Sequence, residues 1–235
     1  MRGITYREAI TEAMAEEMRL DSKVVLMGED VGDFGGLTGT TIGLIDEFGN
    51  DRVMNMPISE SGFVGAAIGA ALQGIRPIVE LGLADVILVA MDQIVNTAAK
   101  MNYFYDGRSS VPAVFRIWSG FRPSGGPQQS QSNEAMFAHV PGLKVVMPST
   151  PYDVKGLLKS AIRDMSERGN RYGITIASGD CRIIMLAIFV PWWVGKNGDG
   201  IGFKSNGLRS KSQKSYPRTW PTSSRDRREL ISGNK

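Results

Sequence analysis

Two hydrophobic rhythms alternate along the first 164 residues. Tyr6, Ile10, Ala13, Met14 and Met18 lie three or four apart and form one stripe of an amphipathic helix; Glu8, Glu12, Glu16 and Arg19 occupy the other face. Residues 24–27 form a short apolar run that ends at Gly28-Glu29-Asp30 and reads as a buried strand. The stretch 32–43 is rich in Gly and Thr, a loop able to line a site. Residues 42–48 predict a short helix stopped by Gly49-Asn50. A second apolar strand is predicted over 53–58, and a helix of almost nothing but Gly, Ala, Ile and Leu follows it.

The alternation continues with a strand at 78–81 and a long helix over 86–101, with Ile87, Ala90, Met91, Ile94 and Ala98 on one side. Further strands are predicted at 111–118 and 144–147, and a helix at 152–163, opened by Ser149-Thr150-Pro151. Residues 119–133 hold Gly, Pro, Ser and Gln without apolar period, and loops of that length in a compact domain are often functional. Strands alternating with helices predict an α/β fold, a parallel sheet covered on both faces.

Glu60 stands where the 53–58 strand hands over to the Gly/Ala helix, and it is the only ionisable group between Arg52 and Arg76. In an open parallel sheet that junction is the carboxyl end of a strand, where ligands bind. The plain alternative is an acid favoured by the helix dipole. Gly62, Gly65 and Gly69 argue for more, since each weakens a helix by about 1 kcal/mol relative to Ala. A neighbour must approach that backbone closely, whether a sheet, another subunit or a cofactor.

Composition narrows the chemistry. Cys181 is the only cysteine and His139 the only histidine, which rules out a disulfide framework, cysteine metal sites and most histidine clusters. No stretch is long and apolar enough to span a bilayer and no secretory signal opens the chain, so a cytoplasmic protein is expected. The net charge of +3 divides unevenly. Residues 1–164 hold 14 Lys and Arg against 19 Asp and Glu, a net of −5, whereas residues 165–235 hold 13 against 5, a net of +8. The two parts are therefore read as a domain, 1–164, and an atypical basic tail, 165–235.

The stretch Pro-Ile-Ser-Glu-Ser-Gly-Phe-Val-Gly-Ala-Ala-Ile-Gly-Ala-Ala-Leu-Gln-Gly-Ile-Arg-Pro at 57–77 resembles the transketolase-like pyrimidine-binding domain of thiamine-diphosphate enzymes. More narrowly, the chain from about Ile4 to Asp164 is similar to the β subunit of the decarboxylating component of 2-oxoacid dehydrogenases, of the pyruvate, branched-chain and acetoin types. Residues 2–9 and 146–153 lean towards the acetoin or pyruvate types. The resemblance implies a three-layer parallel-sheet thiamine-diphosphate-binding fold. It also implies an oxidoreductase subunit that decarboxylates a 2-oxo acid, or cleaves acetoin, and passes the acyl group to lipoamide. An α subunit in an α2β2 heterotetramer, a lipoyl acyltransferase core, and Mg2+ held by the α subunit come with it; a membrane is not expected.

By that resemblance Glu60 hydrogen-bonds the cofactor's aminopyrimidine at the ring nitrogen remote from the amino group and promotes its imino tautomer. The stretch 80–94 matches through Ala90, Asp92, Gln93 and Ile94, and Asp85 and Val86 fall at cofactor-binding positions. Relatives carry Phe where this chain has Val86, which forfeits an aromatic contact of about 0.5–1.5 kcal/mol. The loop 125–132 resembles the family's Gln-His-Ser-Gln segment, so Gln128 falls at a cofactor-binding position and Gln129 stands in the place of a histidine assigned to proton or acyl transfer. Gln hydrogen-bonds but moves no proton near neutral pH. His139 is read as structural. Ala113, Ala161, Ile162 and Asp164 match positions that hold a potassium ion through backbone carbonyls in some relatives; the end of an ordinary helix is the alternative.

Gly198-Asp199-Gly200, followed by Asn206, mimics the magnesium and diphosphate signature of thiamine enzymes, but the spacing leaves no room for a strand and crossover, and it is read as chance. After Asp164 the family pattern stops. One strand is expected within 183–190, and the rest, basic residues mixed with Gly, Ser and Pro, is expected to be poorly ordered. A divergent or out-of-frame terminus replacing the usual C-terminal domain is favoured over a nucleic-acid-binding arm. Two functional alternatives accompany the main reading: a non-catalytic structural subunit of the same fold, and another transketolase-like thiamine enzyme.

Overall fold

The computed structural model describes residues 3–122 and 124–163 and the backbone of the strand Cys181–Ala187. Helix α1 (Tyr6–Leu20) begins at the first stripe of apolar residues because Thr5 caps it. The Thr5 hydroxyl accepts from the Glu8 N–H at 3.2 Å, and the Glu8 carboxylate accepts from the Thr5 N–H at 2.7 Å, so two orphan donors are satisfied reciprocally. Strand β1 (Val24–Gly28), α2 (Leu44–Phe48) and β2 (Val53–Asn55) follow, then α3 (Glu60–Leu72) and β3 (Arg76–Leu83).

The predicted strand at 53–58 is cut to three residues. The N–H of Met56 bonds back to the Gly28 carbonyl at 2.8 Å, and Pro57 has no donor with which to continue the ladder. The predicted helix over 86–101 is a correction of a different kind. It is a 3₁₀ turn (Val86–Ala90), a π turn (Asp92–Thr97), a second 3₁₀ turn (Ala98–Lys100) and the short α4 (Met101–Phe104). Its apolar stripe is buried as expected at Ile87, Ala90, Ile94 and Ala98. The β-branched residues along it, Val86, Ile87, Val89, Ile94, Val95 and Thr97, are stiff and crowd a regular helix.

Strands β4 (Val114–Ser119), β5 (Leu143–Val146) and β6 (Cys181–Ala187) complete a parallel sheet of order β2-β1-β3-β4-β6-β5. β6 starts two residues earlier than the run expected within 183–190; the Gly198-Asp199-Gly200 stretch lies outside the described residues. Two helices occupy the connections, the short α5 (Glu134–Ala138) and the longer α6 (Pro151–Arg163).

Side chains alternate across the sheet as the pleat requires. Val25, Met27, Val79, Leu81, Phe115 and Ile117 join one buried cluster with α3, the 86–100 segment and Phe137. Val24, Leu26, Ile78 and Val114 join another with α1 and α6. The result is the expected three layers. α6 is fastened to α1 by charge as well as by Val154, Leu158 and Ile162. Lys155 bridges Glu12 at 2.9 Å and Glu16 at 2.7 Å, Lys159 pairs with Glu16, and Arg163 forks onto Glu17 at 2.7 and 2.8 Å.

Candidate active site at the carboxyl edge of the sheet

Because the strands run parallel, the loops leaving β1, β2, β3 and β4 gather on one edge. The first carries Glu29, the second leads into Glu60, the third carries Asp85 and Val86, and the fourth is the stretch 120–133.

Glu60 opens α3 and is 7 % exposed. Glu29 was not singled out by the sequence reading, although its signal was present: an acidic pair directly after a buried strand. Gly28 is what lets it sit there, since a Cβ at that position would stand 2.5 Å from the Glu80 carbonyl oxygen. Oε1 of Glu29 is buried with no hydrogen-bond partner among the described residues. Burial pushes the Glu29 carboxyl up from the ordinary carboxylate range, and the charges of Glu60 and Asp30 push it further. Glu29 and Glu60 therefore stand on the same edge, near enough for the Glu60 charge to act on Glu29.

The loop that bears Glu29 is held from several sides. Gly32 N–H donates to Asn55 Oδ1 at 2.8 Å, Thr41 Oγ1 donates to the Val31 carbonyl at 2.7 Å, and Arg116 donates to Thr40 Oγ1. Arg116 also pairs with Glu80, both fully inside the protein. Burial pushes the Glu80 carboxyl up and the adjoining guanidinium pulls it back.

α3 and the 86–90 turn meet where Ser61 Oγ donates to the Val89 carbonyl. Val86 is half-buried at the start of that turn, and Asp85 accepts from Gln131 Nε2 at 2.7 Å, tying the fourth loop to the third. Asn133, buried, adds a bond from its Nδ2 to the Ala84 carbonyl at 2.8 Å. Gln128 and Gln129 lie exposed on a 3₁₀ turn (Pro127–Gln129), and Gln129 Oε1 accepts from Arg122 at 3.5 Å. Glu60, Asp85, Val86, Gln128 and Gln129 thus all belong to segments of one edge.

The residues matched to a potassium site lie elsewhere. Ala113 precedes β4 and Ala161 and Ile162 end α6, at the opposite, amino edge; the Ile162 carbonyl accepts from the Arg76 guanidinium. Asp164 is outside the described residues. His139 is exposed at the end of α5.

A buried carboxyl at a helix start, a second carboxylate oxygen without a partner and an apolar wall at Val86 suit a flat, polar-edged heterocycle such as an aminopyrimidine. Among the described residues no group of three or more His, Cys, Asp or Glu is placed to hold a metal, and no helix is long and apolar enough to cross a membrane.

The carboxyl edge also exposes apolar side chains from each loop: Phe34 at 75 %, Ile58 at 83 %, Val89 at 58 % and Phe121 at 70 %. α3 is apolar along most of its length, yet Gly62, Ala66 and Gly69 face outward, and among the described residues only Gly65 of its three glycines meets another element, at Gln93.

Comparison with known proteins shows the family. Residues 2–171 match the family described as transketolase, pyrimidine binding domain. The chain is 51 % identical over 164 residues to the 2-oxoisovalerate dehydrogenase subunit beta of Bacillus subtilis, covering 70 % of this chain and 50 % of that protein. It is 49 % identical over 163 residues to a mitochondrial pyruvate dehydrogenase E1 component subunit beta-2 of Oryza sativa subsp. japonica, covering 69 % and 43 %. To the beta subunit of the acetoin:2,6-dichlorophenolindophenol oxidoreductase of Cupriavidus necator it is 45 % identical over 190 residues, covering 74 % and 55 %. The chain therefore spans about half the length of these relatives. Among solved structures, an inactive β4 tetramer of a split-gene transketolase shares the fold with a TM-score of 0.59 and 19 % identity, covering 79 % of this chain and 52 % of that one.

Proposed function

The chain belongs to the transketolase pyrimidine-binding domain family, and from that premise we propose that it is the cofactor-binding part of a β subunit in a thiamine-diphosphate-dependent 2-oxoacid or acetoin dehydrogenase. The observation that carries this reading is Glu60, buried at the start of α3.

Thiamine diphosphate supplies an electron sink for cleaving a bond beside a carbonyl. The chain's own residues bind and orient. Glu60 holds the remote ring nitrogen of the aminopyrimidine, because a carboxyl in a partly dry site makes a strong hydrogen bond to a weakly basic nitrogen. Glu29, held towards its protonated form by burial and by Glu60, supplies a second polar contact. Val86 closes the apolar wall, and Asp85 keeps the fourth loop over the site through Gln131. Gln129 offers hydrogen bonds from that loop but no proton transfer.

A partner subunit is supported by the exposed apolar side chains of all four loops on one edge and by the outward face of α3. We read that partner as the α subunit of an α2β2 assembly, holding Mg2+ and diphosphate and working with a lipoyl acyltransferase core in the cytoplasm. A potassium ion at Ala113, Ala161, Ile162 and Asp164 belongs to the same reading; the Ile162 carbonyl keeps one lone pair beyond its bond to Arg76. We read residues 1–164 as the bulk of the domain, to which the strand Cys181–Ala187 of the following stretch adds its place in the sheet.

The test is decarboxylation by this chain co-expressed with an α subunit, with thiamine diphosphate, Mg2+ and an artificial electron acceptor. Cofactor-dependent turnover that collapses in Glu60→Gln is the expected result. Co-purification without turnover favours the structural-subunit reading, which Gln129 in the histidine's place supports. Absence of association overturns both.

A further inference from the structure

Between Arg116 and Glu134 the chain carries one ionisable side chain, Arg122. Its loop leaves the carboxyl end of β4 and folds back on itself. The Gly120 N–H donates to the Gln131 carbonyl at 2.9 Å, the Arg122 N–H donates to Ser130 Oγ at 3.2 Å, and the Gly125 N–H donates to the Arg122 carbonyl at 3.0 Å. Gly125 makes the fold-back tight, because a Cβ there would stand 2.9 Å from the Gln129 carbonyl oxygen and 3.1 Å from the Arg122 Cβ. The guanidinium is thereby set across from Gln129, which it meets only at 3.5 Å.

That contact leaves most of the guanidinium uncommitted. Five N–H donors lie in a planar fork, and no carboxylate among the described residues pairs with them. The same edge holds Asp30, Glu60 and Asp85, and the last of these is tied to the Arg122 loop through Gln131. A 2-oxo acid brings a carboxylate next to the carbonyl that reacts, and this acidic edge repels it. A neutral hydroxyketone such as acetoin meets no such penalty. Admitting the oxo acid takes a cation in the loop over the site, and a planar guanidinium accepts a carboxylate with two parallel hydrogen bonds.

We propose that Arg122 is a specificity-determining residue, the clamp for the carboxylate of a 2-oxo acid, with Gln129 Oε1 orienting its fork. The assignment rests on the enzyme reading above and adds to it a choice between anionic and neutral substrates. Arg122 lies on a surface loop outside both buried clusters, so its replacement spares the core.

The experiment measures kcat and KM of the co-expressed complex for pyruvate, 3-methyl-2-oxobutanoate and acetoin, in the parent, Arg122→Gln and Arg122→Lys. The expected result is turnover of at least one 2-oxo acid, with KM raised about tenfold or more in Arg122→Gln, in line with a lost charge-assisted hydrogen-bonded pair. kcat stays near the parent value, Arg122→Lys falls between, and any acetoin KM is the same in all three. A KM for 2-oxo acids unchanged in Arg122→Gln overturns the clamp and leaves the enzyme reading standing, as does a parent that accepts acetoin alone. No cofactor-dependent turnover of any of the three compounds overturns the enzyme reading and the clamp with it.

Discussion

Arg116 lies against Glu80 with neither side chain exposed, at 0 % and 1 %, and the same guanidinium donates to Thr40 in the loop that carries Glu29. A charge pair inside the sheet thus fixes a loop outside it. Removing one partner leaves a buried charge, so Glu80→Gln or Arg116→Met is expected to cost about 3–5 kcal/mol. Thr40→Val keeps the pair and removes the hydrogen bonds of Thr40 Oγ1 with Arg116 and Thr38, at about 1 kcal/mol each. Urea unfolding of the three variants checks the order, and similar values for all three contradict it.

Glu29 makes a prediction about pH. Its folded carboxyl sits above the ordinary value of 4.5 because of burial, then Glu60 and Asp30. The folded state therefore binds that proton more tightly than the unfolded chain, and the group's contribution to stability declines as pH rises from about 4.5 to the folded value. Glu29→Gln is expected to be stabilising at pH 7 relative to its effect at pH 4. Equilibrium unfolding of parent and variant at both pH values tests this, and equal effects count against it.

The α1–α6 ladder works in the opposite sense. Lys155 and Lys159 hold the Glu16 carboxyl below its ordinary value, so its contribution is present above 4.5 and lost as pH falls through the lower folded value. Each partly exposed pair contributes about 0.2–1 kcal/mol. Glu16→Gln is expected to lower Tm at pH 7 and to make no difference at pH 2.5. A Tm deficit that persists in acid assigns the effect to packing.

Gln129→His restores an imidazole to a turn facing Arg122. Acyl transfer to lipoamide is expected to rise, within the range of about 10²–10⁴-fold typical of general acid–base catalysis, while decarboxylation with an artificial acceptor changes little. Parallel assays of the two half-reactions decide it; equal changes in both refute the division of labour.

Local periodicity carried much of this protein. The stripe Tyr6–Met18, the apolar runs at 24–27 and 78–81, and the helix at 152–163 are all present, because each depends on contacts a few residues apart or on one buried face. The family resemblance placed Glu60. The segment 86–101 was misread because its stripe has helical spacing whether the turns are α, 3₁₀ or π, and burial alone does not distinguish them.

Local pattern was enough for the rhythm of strands and helices, the junction at Glu60 and the imbalance of charge between 1–164 and 165–235. The fold alone brings Glu29 near Glu60, lets Arg116 reach Thr40 from 76 residues away and puts Arg122 on a loop tied to Asp85. The reason is physical. Periodicity records which side of a segment is apolar, whereas the charges that meet at a site come from the ends of separate strands. Their encounter depends on the order in which those strands enter the sheet.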